Sequence, residues 1–173
     1  IIYSGDHVHI DFGITYLNLQ TDTQQNAYIL KAGETEAPNH LQRALSEGNT
    51  LQDILTANFR VGRTGNDILA RSRAQAIDRG LTPIIYTHPI GLHGHAAGTT
   101  IGMWDKQDGV PGSGDYAMQP NTAYSIELTA EVSLPEWGDD PLKMKLEQDG
   151  FFDGETFRYI QPRQTQYHLV SSD

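Results

Sequence analysis

The sequence predicts an α+β fold in which an antiparallel sheet carries two helices on one face. Three observations lead to this class: alternating strand-like segments at both ends of the chain, two central stretches with helical spacing of apolar residues, and glycine-rich breaks between them. No repeat of fixed period is present, and 173 residues are enough for one hydrophobic core. We therefore expect a single domain, residues 1–173.

The beginning of the chain predicts a strand meander. Residues 7–12 alternate and end at Gly13, and the runs 14–19 and 26–30 follow. Residues 31–34 (Lys-Ala-Gly-Glu) have the composition of a turn. We expect the three runs to pair in antiparallel order.

Two helices are predicted in the middle of the chain. In residues 41–59 the apolar side chains recur at helical spacing; they are Leu41, Ala44, Leu45, Leu51, Ile54, Leu55 and Phe59. Residues 61–65 interrupt this pattern with two glycines. A second helix is expected over residues 66–78, before Gly80, because glycine suits the left-handed position after a helix.

Strand-like composition returns in the second half. The expected strands are residues 83–86, 124–132, 157–160 and 164–170. A glycine-rich, polar loop lies between the first and second of these, and a stretch rich in Asp and Glu, with no strand expected, precedes the third.

The composition excludes several kinds of function. The net charge is −10 without any block of lysine or arginine, so neither nucleic acid nor an anionic membrane is expected as a main partner. The absence of cysteine excludes thiolate chemistry, disulfides and cysteine-type zinc sites. No apolar run has the length of a membrane span, and the compartment stays open. The chain begins at Ile1 rather than Met, which predicts a processed or trimmed piece of a longer protein.

Four residues at separated points predict a metal site: Asp11, Asp22, His88 and Glu127. Each lies in a strand-like segment or at its end. Carboxylates and imidazole are ligands of divalent metals, and buried acids are costly unless cations neutralise them. Taken singly, either aspartate also fits a turn, and the glutamate also fits a solvent-facing strand position.

Histidines cluster in the segment THPIGLHGHAAG. His88, His93 and His95 fall within eight positions and are flanked by glycines. A lone histidine is more often a packed or surface residue than a ligand, but this clustering favours a functional site.

Together these segments resemble the catalytic domain of the methionine aminopeptidase, Xaa-Pro aminopeptidase and creatinase superfamily, the pita-bread fold. GDHVHIDFG and TDTQQNAYIL resemble the strands that carry the family's two metal aspartates. THPIGL, followed by a histidine seven residues after His88, resembles its histidine pair, and YSIEL resembles the strand with its first metal glutamate. The resemblance implies a curved antiparallel sheet with helices on the outer face. It also implies an incomplete N-terminus, because the family's first helices and strands have no counterpart before Asp11.

The same resemblance implies a pair of divalent ions, of Mn, Co or Zn. Asp11 would chelate one ion, and Asp22 would bridge both. His88 would bind the other ion, and Glu127 would join the cluster. In such sites two ions about 3.5–4 Å apart activate a bridging water as nucleophile.

The implied function is a metal-dependent aminopeptidase-like hydrolase that removes an N-terminal residue from peptides. His95 would hydrogen-bond the substrate carbonyl or the oxyanion, and His93 would either support it or lie in an exposed loop. The residues HPIGL, which begin at His88, resemble the Xaa-Pro branch more closely than the methionine branch.

The family's fifth ligand is a glutamate on the last strand, and here that strand reads PRQTQYHLV. Aligning Leu169 and Val170 with the family's apolar positions puts Gln166 at the ligand position, and a shift of two residues puts Gln164 there. His168 is an alternative nitrogen ligand on the same strand face. Because an amide carries no negative charge and cannot act as a base, we expect one tightly and one weakly bound metal.

Three smaller departures from the family pattern accompany this one. The arginine that often follows the second aspartate is replaced by Gln24 or Gln25. The usual Pro-Gly after the first glutamate is Leu128-Thr129, and the acid after the second histidine is Ala96.

Two alternative functions follow from the same residues. One is a metal-free, creatinase-like hydrolase that cleaves a C–N bond with histidine, and the other is a catalytically weak or inactive pita-bread binding module. The expected partners are a peptide substrate and either a second copy of the chain or the missing N-terminal segment.

Overall fold

The structure is a computed structural model that describes residues 1–171. The expected domain extends to residue 173, so its last two residues lie outside the described part of the chain. The first half contains four strands and two helices: β1 (His7–Phe12), β2 (Thr15–Tyr16), β3 (Leu19–Gln20), β4 (Thr23–Ile29), α1 (Asn39–Ala57) and α2 (Gly65–Asp78). The second half contains eight strands: β5 (Thr82–Ile85), β6 (His88–Pro89), β7 (Thr122–Ser125), β8 (Leu128–Val132), β9 (Leu142–Leu146), β10 (Asp149–Phe152), β11 (Phe157–Tyr159) and β12 (His168–Val170).

The strands form three sheets and a small hairpin. The sheet orders are β1-β4-β12, β11-β10-β7-β6 and β5-β8-β9, and β2 pairs with β3. The predicted meander is confirmed in outline, since β1 and β4 pair in antiparallel register, but its middle run is reduced to the short hairpin. The antiparallel prediction has one exception, because β12 runs parallel to β4.

Two of these sheets meet where three strand paths break at the same level. The breaks fall at residues 86–87, 126–127 and 147–148. Backbone hydrogen bonds cross them: Ile126 N–H donates to the Gln148 carbonyl over 3.0 Å, and Tyr86 N–H donates to the Glu127 carbonyl over 3.0 Å. Such irregularities re-aim side chains in a sheet. The strand predicted over residues 124–132 is therefore split, and the charged stretch expected to lack strands contains β9 and β10.

Both predicted helices form, within two residues of their expected bounds, and they cover one side of the sheet. Helix α1 packs on β8 and β9, and α2 packs on β5. The Thr64 hydroxyl accepts a hydrogen bond from Asp67 N–H and caps α2. Gly48 of α1 lies so close to β9 that a Cβ there would be 2.6 Å from Leu146 Cδ1, so glycine permits the tight packing.

The hydrophobic core lies on the helix side of the sheet, and polar and charged side chains lie on the opposite side. Along β9, Leu142, Met144 and Leu146 are buried while Lys143 and Lys145 are exposed. Because side chains alternate along a strand, the lysines share a face that points away from the helices. None of the helices in residues 1–171 has the length and apolar character needed to cross a membrane.

Candidate metal centre

Six side chains with metal-binding atoms converge on the polar face of the sheet. They form three overlapping groups of three, each with its ligand atoms within 4.8 Å of one another. The six residues are Asp11, Asp22, His88, His95, Glu127 and Glu147. The structure thus brings together the four ligands predicted from the sequence and adds a glutamate and a histidine.

The strand pair β1 and β4 positions the two aspartates. Asp11 lies directly opposite Gln24 in the antiparallel register, and directly opposite residues share a face. Asp22 precedes β4 by one residue, and alternation along the strand puts it on the same face as Gln24.

The three strand breaks position His88, Glu127 and Glu147. His88 begins β6 and pairs with Ser125, while the two glutamates lie between β7 and β8 and between β9 and β10. The Ser125 hydroxyl donates a 2.7 Å hydrogen bond to Glu147 Oε1 and so orients that carboxylate. The side chains at the breaks consequently point at one another.

His88 is a buried residue with one unsatisfied ring nitrogen. The residue is only 2% exposed, and among residues 1–171 its Nε2 has no hydrogen-bond partner. This atom lies 3.8 Å from Glu127 Oε2 and 3.8 Å from Glu147 Oε1, which is beyond hydrogen-bond distance. A buried polar atom without a partner is costly, and a cation between the histidine and the glutamates would satisfy it.

The electrostatics of the cluster also favour a cation. Burial, followed by the charge of Glu147, raises the pKa of Glu127 to about 8 and that of Asp22 to about 6. Burial lowers the pKa of His88, but the Glu147 carboxylate, the Pro89 carbonyl and the Glu127 carboxylate outweigh burial, so the net direction is upward. Crowded acids therefore resist ionisation until positive charge is supplied.

The predicted fifth-ligand position requires a correction. Gln166 is exposed and lines a separate cavity beside Gln42 of α1. Gln164 is buried, and its amide bonds to both backbone groups of Asn26, at 2.8 Å and 2.6 Å. His168 bonds instead to Gln25 over 3.0 Å. Their side chains are thus engaged away from the six residues of the cluster, with Asn26, with Gln25 or beside α1.

Glu147, which the sequence analysis did not single out, supplies the additional acid of the cluster. It is 3% exposed and belongs to two of the three ligand groups. The sequence contained a signal for it, because residues 142–146 (Leu-Lys-Met-Lys-Leu) alternate strictly and predict a strand that ends at this glutamate. No strand was expected in this charged segment, so the alternation was not used to predict one.

The two loop histidines have different surroundings. The His95 ring lies on the His88 ring with centroids 4.0 Å apart, its Nδ1 is 2.9 Å from the Tyr86 hydroxyl, and its Nε2 is 3.7 Å from Asp22 Oδ2. Burial and the charge of His88 lower the pKa of His95, which favours the neutral ring. His93 is exposed and is absent from the ligand groups found among residues 1–171.

The side-chain amide of Gln24 lies among the acids. Its Nε2 donates to Glu147 Oε2 at 2.9 Å, to Glu127 Oε1 at 3.2 Å and to Asp11 Oδ2 at 3.3 Å. Its Oε1 lies 2.9 Å from His9 Nε2. Sequence reasoning identified Gln24 only as a departure from the family pattern.

A cavity of about 380 Å³ opens beside the cluster. It is lined by Asp11, Gln24, Ile84, Tyr86, Trp104, Glu127, Leu128, Thr129, Lys143 and Lys145. This volume is within the range of small-ligand pockets, roughly 300–1,000 Å³. The lining thus combines two acids of the cluster with apolar side chains and two lysines.

Several solved structures of peptidases have a similar fold. X-Pro aminopeptidase from Thermotoga maritima has a TM-score of 0.71 at 19% identity, over 98% of this chain and 43% of that chain. A dipeptidase from Pyrococcus horikoshii has a TM-score of 0.69 at 17% identity, over 98% and 42%. Methionine aminopeptidase from Rickettsia prowazekii has a TM-score of 0.64 at 16% identity, over 90% and 64%. The chain therefore has the pita-bread fold, and the fold that the sequence resemblance implied is confirmed.

The likeness lies in the fold rather than in close sequence similarity. No protein-family model matches the sequence, and no curated protein matches it. The chain spans 43% of the X-Pro aminopeptidase chain and 42% of the dipeptidase chain.

Proposed function

We propose that this chain is the catalytic part of a metal-dependent aminopeptidase-like hydrolase that removes an N-terminal residue from peptides, of the Xaa-Pro type. One observation carries the proposal: the Nε2 of buried His88, which has no hydrogen-bond partner in residues 1–171, lies 3.8 Å from both Glu127 and Glu147. Nitrogen and carboxylate oxygen in this arrangement suit Mn, Co or Zn.

The donor set fits two divalent ions. Four carboxylates, those of Asp11, Asp22, Glu127 and Glu147, supply four negative charges when ionised, which balance the four positive charges of two such ions. His88 adds a neutral nitrogen ligand. When bound, a pair of divalent ions supplies Lewis acidity toward the scissile carbonyl and lowers the pKa of water.

His95 is the proposed contact to the substrate carbonyl. When the Tyr86 hydroxyl donates to Nδ1, the neutral ring carries its proton on Nε2 and can donate it. Burial and nearby carboxylates raise the pKa of Tyr86, so its hydroxyl keeps its proton. The tyrosine therefore selects the tautomer in which Nε2 donates to the developing oxyanion.

The cavity beside the acids is the proposed place for the peptide. An N-terminal ammonium group suits the acidic wall formed by Asp11 and Glu127, and Trp104 and Ile84 offer apolar contact. The segment that follows His88 and the similarity to an X-Pro aminopeptidase structure support the Xaa-Pro preference.

The test compares hydrolysis of Xaa-Pro and Met-Ala peptides with and without chelator. We expect chelator-sensitive release of the residue before proline, restored by Mn²⁺. Asp22→Asn should lower kcat/KM by at least about 100-fold, since removal of one charge-stabilising group can cost ~10²–10³ in kcat. The matched control is Asp78→Asn, because Asp78 is exposed at the end of α2. Full activity of the Asp22 variant would refute the proposal.

A second candidate is a metal-free hydrolase of C–N bonds, or a binding module without chemistry. The hydrogen bonds from Gln24 to three acids favour both metal-free alternatives, because they partly compensate the negative charge of the acids without a cation. Chelator-insensitive turnover would identify the hydrolase, and binding of peptide without turnover would identify the module.

A further inference from the structure

We infer that the side-chain amide of Gln24 occupies one of the two cation subsites and competes with the second metal ion for it. The inference deepens the proposed function and rests on it, because it assumes that the acidic cluster binds metal. It predicts a centre that holds one ion tightly and gains a second only by displacing an amide.

The position of the amide nitrogen is that of a small cation. It contacts carboxylates from three separate strand paths, at 2.9, 3.2 and 3.3 Å. An amide has only two N–H groups, so it cannot form a separate full hydrogen bond with each of three carboxylates. We therefore attribute the position of the nitrogen to the combined negative charge of the three acids. Carboxylate oxygens bind a metal at about 2.0–2.2 Å, so a metal ion in the same place would draw the three acids inward and exclude the nitrogen.

The strand position of Gln24 and a contact with His9 hold its amide in this position. The residue is 3% exposed and lies on β4 directly opposite Asp11. Its Oε1 is 2.9 Å from His9 Nε2, so both ends of the amide are engaged. Displacing it therefore breaks several hydrogen bonds at once.

The amide also compensates acids that have no ion pair with lysine or arginine among residues 1–171. Among residues 1–171, the ion pairs of Asp22, Glu127 and Glu147 involve only His88 and His95, and Asp11 has none. Gln24 reaches Asp11, Glu127 and Glu147, and these three contacts leave the His88 side of the cluster open. This open side, where His88 Nε2 lies 3.8 Å from Glu127 Oε2 and from Glu147 Oε1, is the expected place of the first ion.

The test is a calorimetric titration with Mn²⁺ of the wild-type chain, Gln24→Ala, Gln24→Thr and the control Gln25→Ala. Gln25 is adjacent but faces the other way, toward His168. We expect one strong and one weak ion for the wild type and for the Gln25 variant. Both Gln24 variants should bind the second ion on the order of tenfold more tightly, as expected when hydrogen bonds to charged groups no longer have to be broken.

Thermal unfolding gives a second readout that does not depend on activity. In chelator, Gln24→Ala should have a lower Tm than the wild type, because three acids lose their donor. In excess Mn²⁺ the Tm of the variant should rise further than that of the wild type. A variant that merely folds badly would have a low Tm in both conditions and unchanged second-ion affinity, which would overturn the inference.

Other outcomes separate the inference from the proposed function. Two strong ions in the wild type would overturn the competition while leaving the metal site intact. Loss of an ion in the Gln24 variants would overturn it too, because the amide oxygen would then be a ligand. Absence of binding in every folded variant would refute the metal site and the inference with it.

Discussion

His88 Nε2 and Glu147 Oε1 lie 3.8 Å apart, although their strands flank the path of β7 and β8 on opposite sides. Both side chains are almost fully buried, and within the described part of the chain the histidine nitrogen has no hydrogen-bond partner. Glu147, rather than any residue of the last strand, therefore supplies the fourth carboxylate of the cluster.

Glu147→Gln should weaken Mn²⁺ binding strongly, and Gln166→Ala should leave it unchanged. The glutamate belongs to two ligand groups, whereas Gln166 lines a separate cavity. The expected loss exceeds the ~10–100-fold typical of groups that only support a ligand. Elemental analysis after removal of free ion measures it. Equal metal content in Glu147→Gln and wild type would contradict the assignment of this residue.

His95→Gln should reduce turnover without removing metal. Because the ring is hydrogen-bonded to Tyr86 and largely exposed, we expect it to contact substrate, and loss of such a donor costs about 10²–10³ in kcat. Steady-state kinetics and metal analysis are made on the same sample. His93→Gln is the matched control and should behave as wild type. Metal loss in the His95 variant would show instead that it is a ligand beside Asp22.

The metal-free protein should become less stable as the pH rises. The pKa of Asp22 is raised from 3.8 to about 6 and that of Glu127 from 4.5 to about 8, chiefly by burial. The folded chain then holds more protons than the unfolded chain above the ordinary values, so the free energy of unfolding falls as the pH rises through the folded pKa values. Urea unfolding in chelator at several pH values measures this slope.

Glu127→Gln provides the control for that slope. Without the carboxyl group, the fall between about pH 6 and 8 should flatten, because its raised pKa is the source of the proton difference. An unchanged slope in the variant would show that other groups cause the pH dependence.

Gln164→Ala should destabilise the fold and leave metal binding intact. Its amide accepts from Asn26 N–H and donates to the Asn26 carbonyl, so it extends the sheet beside β4 in the way a backbone would. Leaving these buried groups without partners costs about 1–3 kcal/mol each. Denaturant unfolding should register the loss, while the Mn²⁺ titration should match wild type. Weakened metal affinity at unchanged stability would argue for a ligand role.

Periodicity predicted the elements that are long and one-sided. Helices α1 and α2 were found within two residues of their expected bounds, because their apolar spacing reflects burial on a single face. The prediction failed at residues 142–152, where charged residues alternate with the apolar residues of β9. A strand with lysines on its polar face has a composition similar to that of a loop, and only the alternation of apolar and charged residues distinguishes the two.

Five of the six residues of the cluster had been singled out from the order and spacing of motifs; they are Asp11, Asp22, His88, His95 and Glu127. The sequence by itself determined which candidate metal-binding side chains are present and that the fold is of the pita-bread kind, because local patterns and motif order are properties of the chain. Only the tertiary structure decided that Glu147 joins them, that Gln166 does not, and that Gln24 lies among the acids. The physical reason is that ligand distance depends on strand register and on three aligned strand breaks, and these arise from long-range pairing that spacing along the chain does not specify.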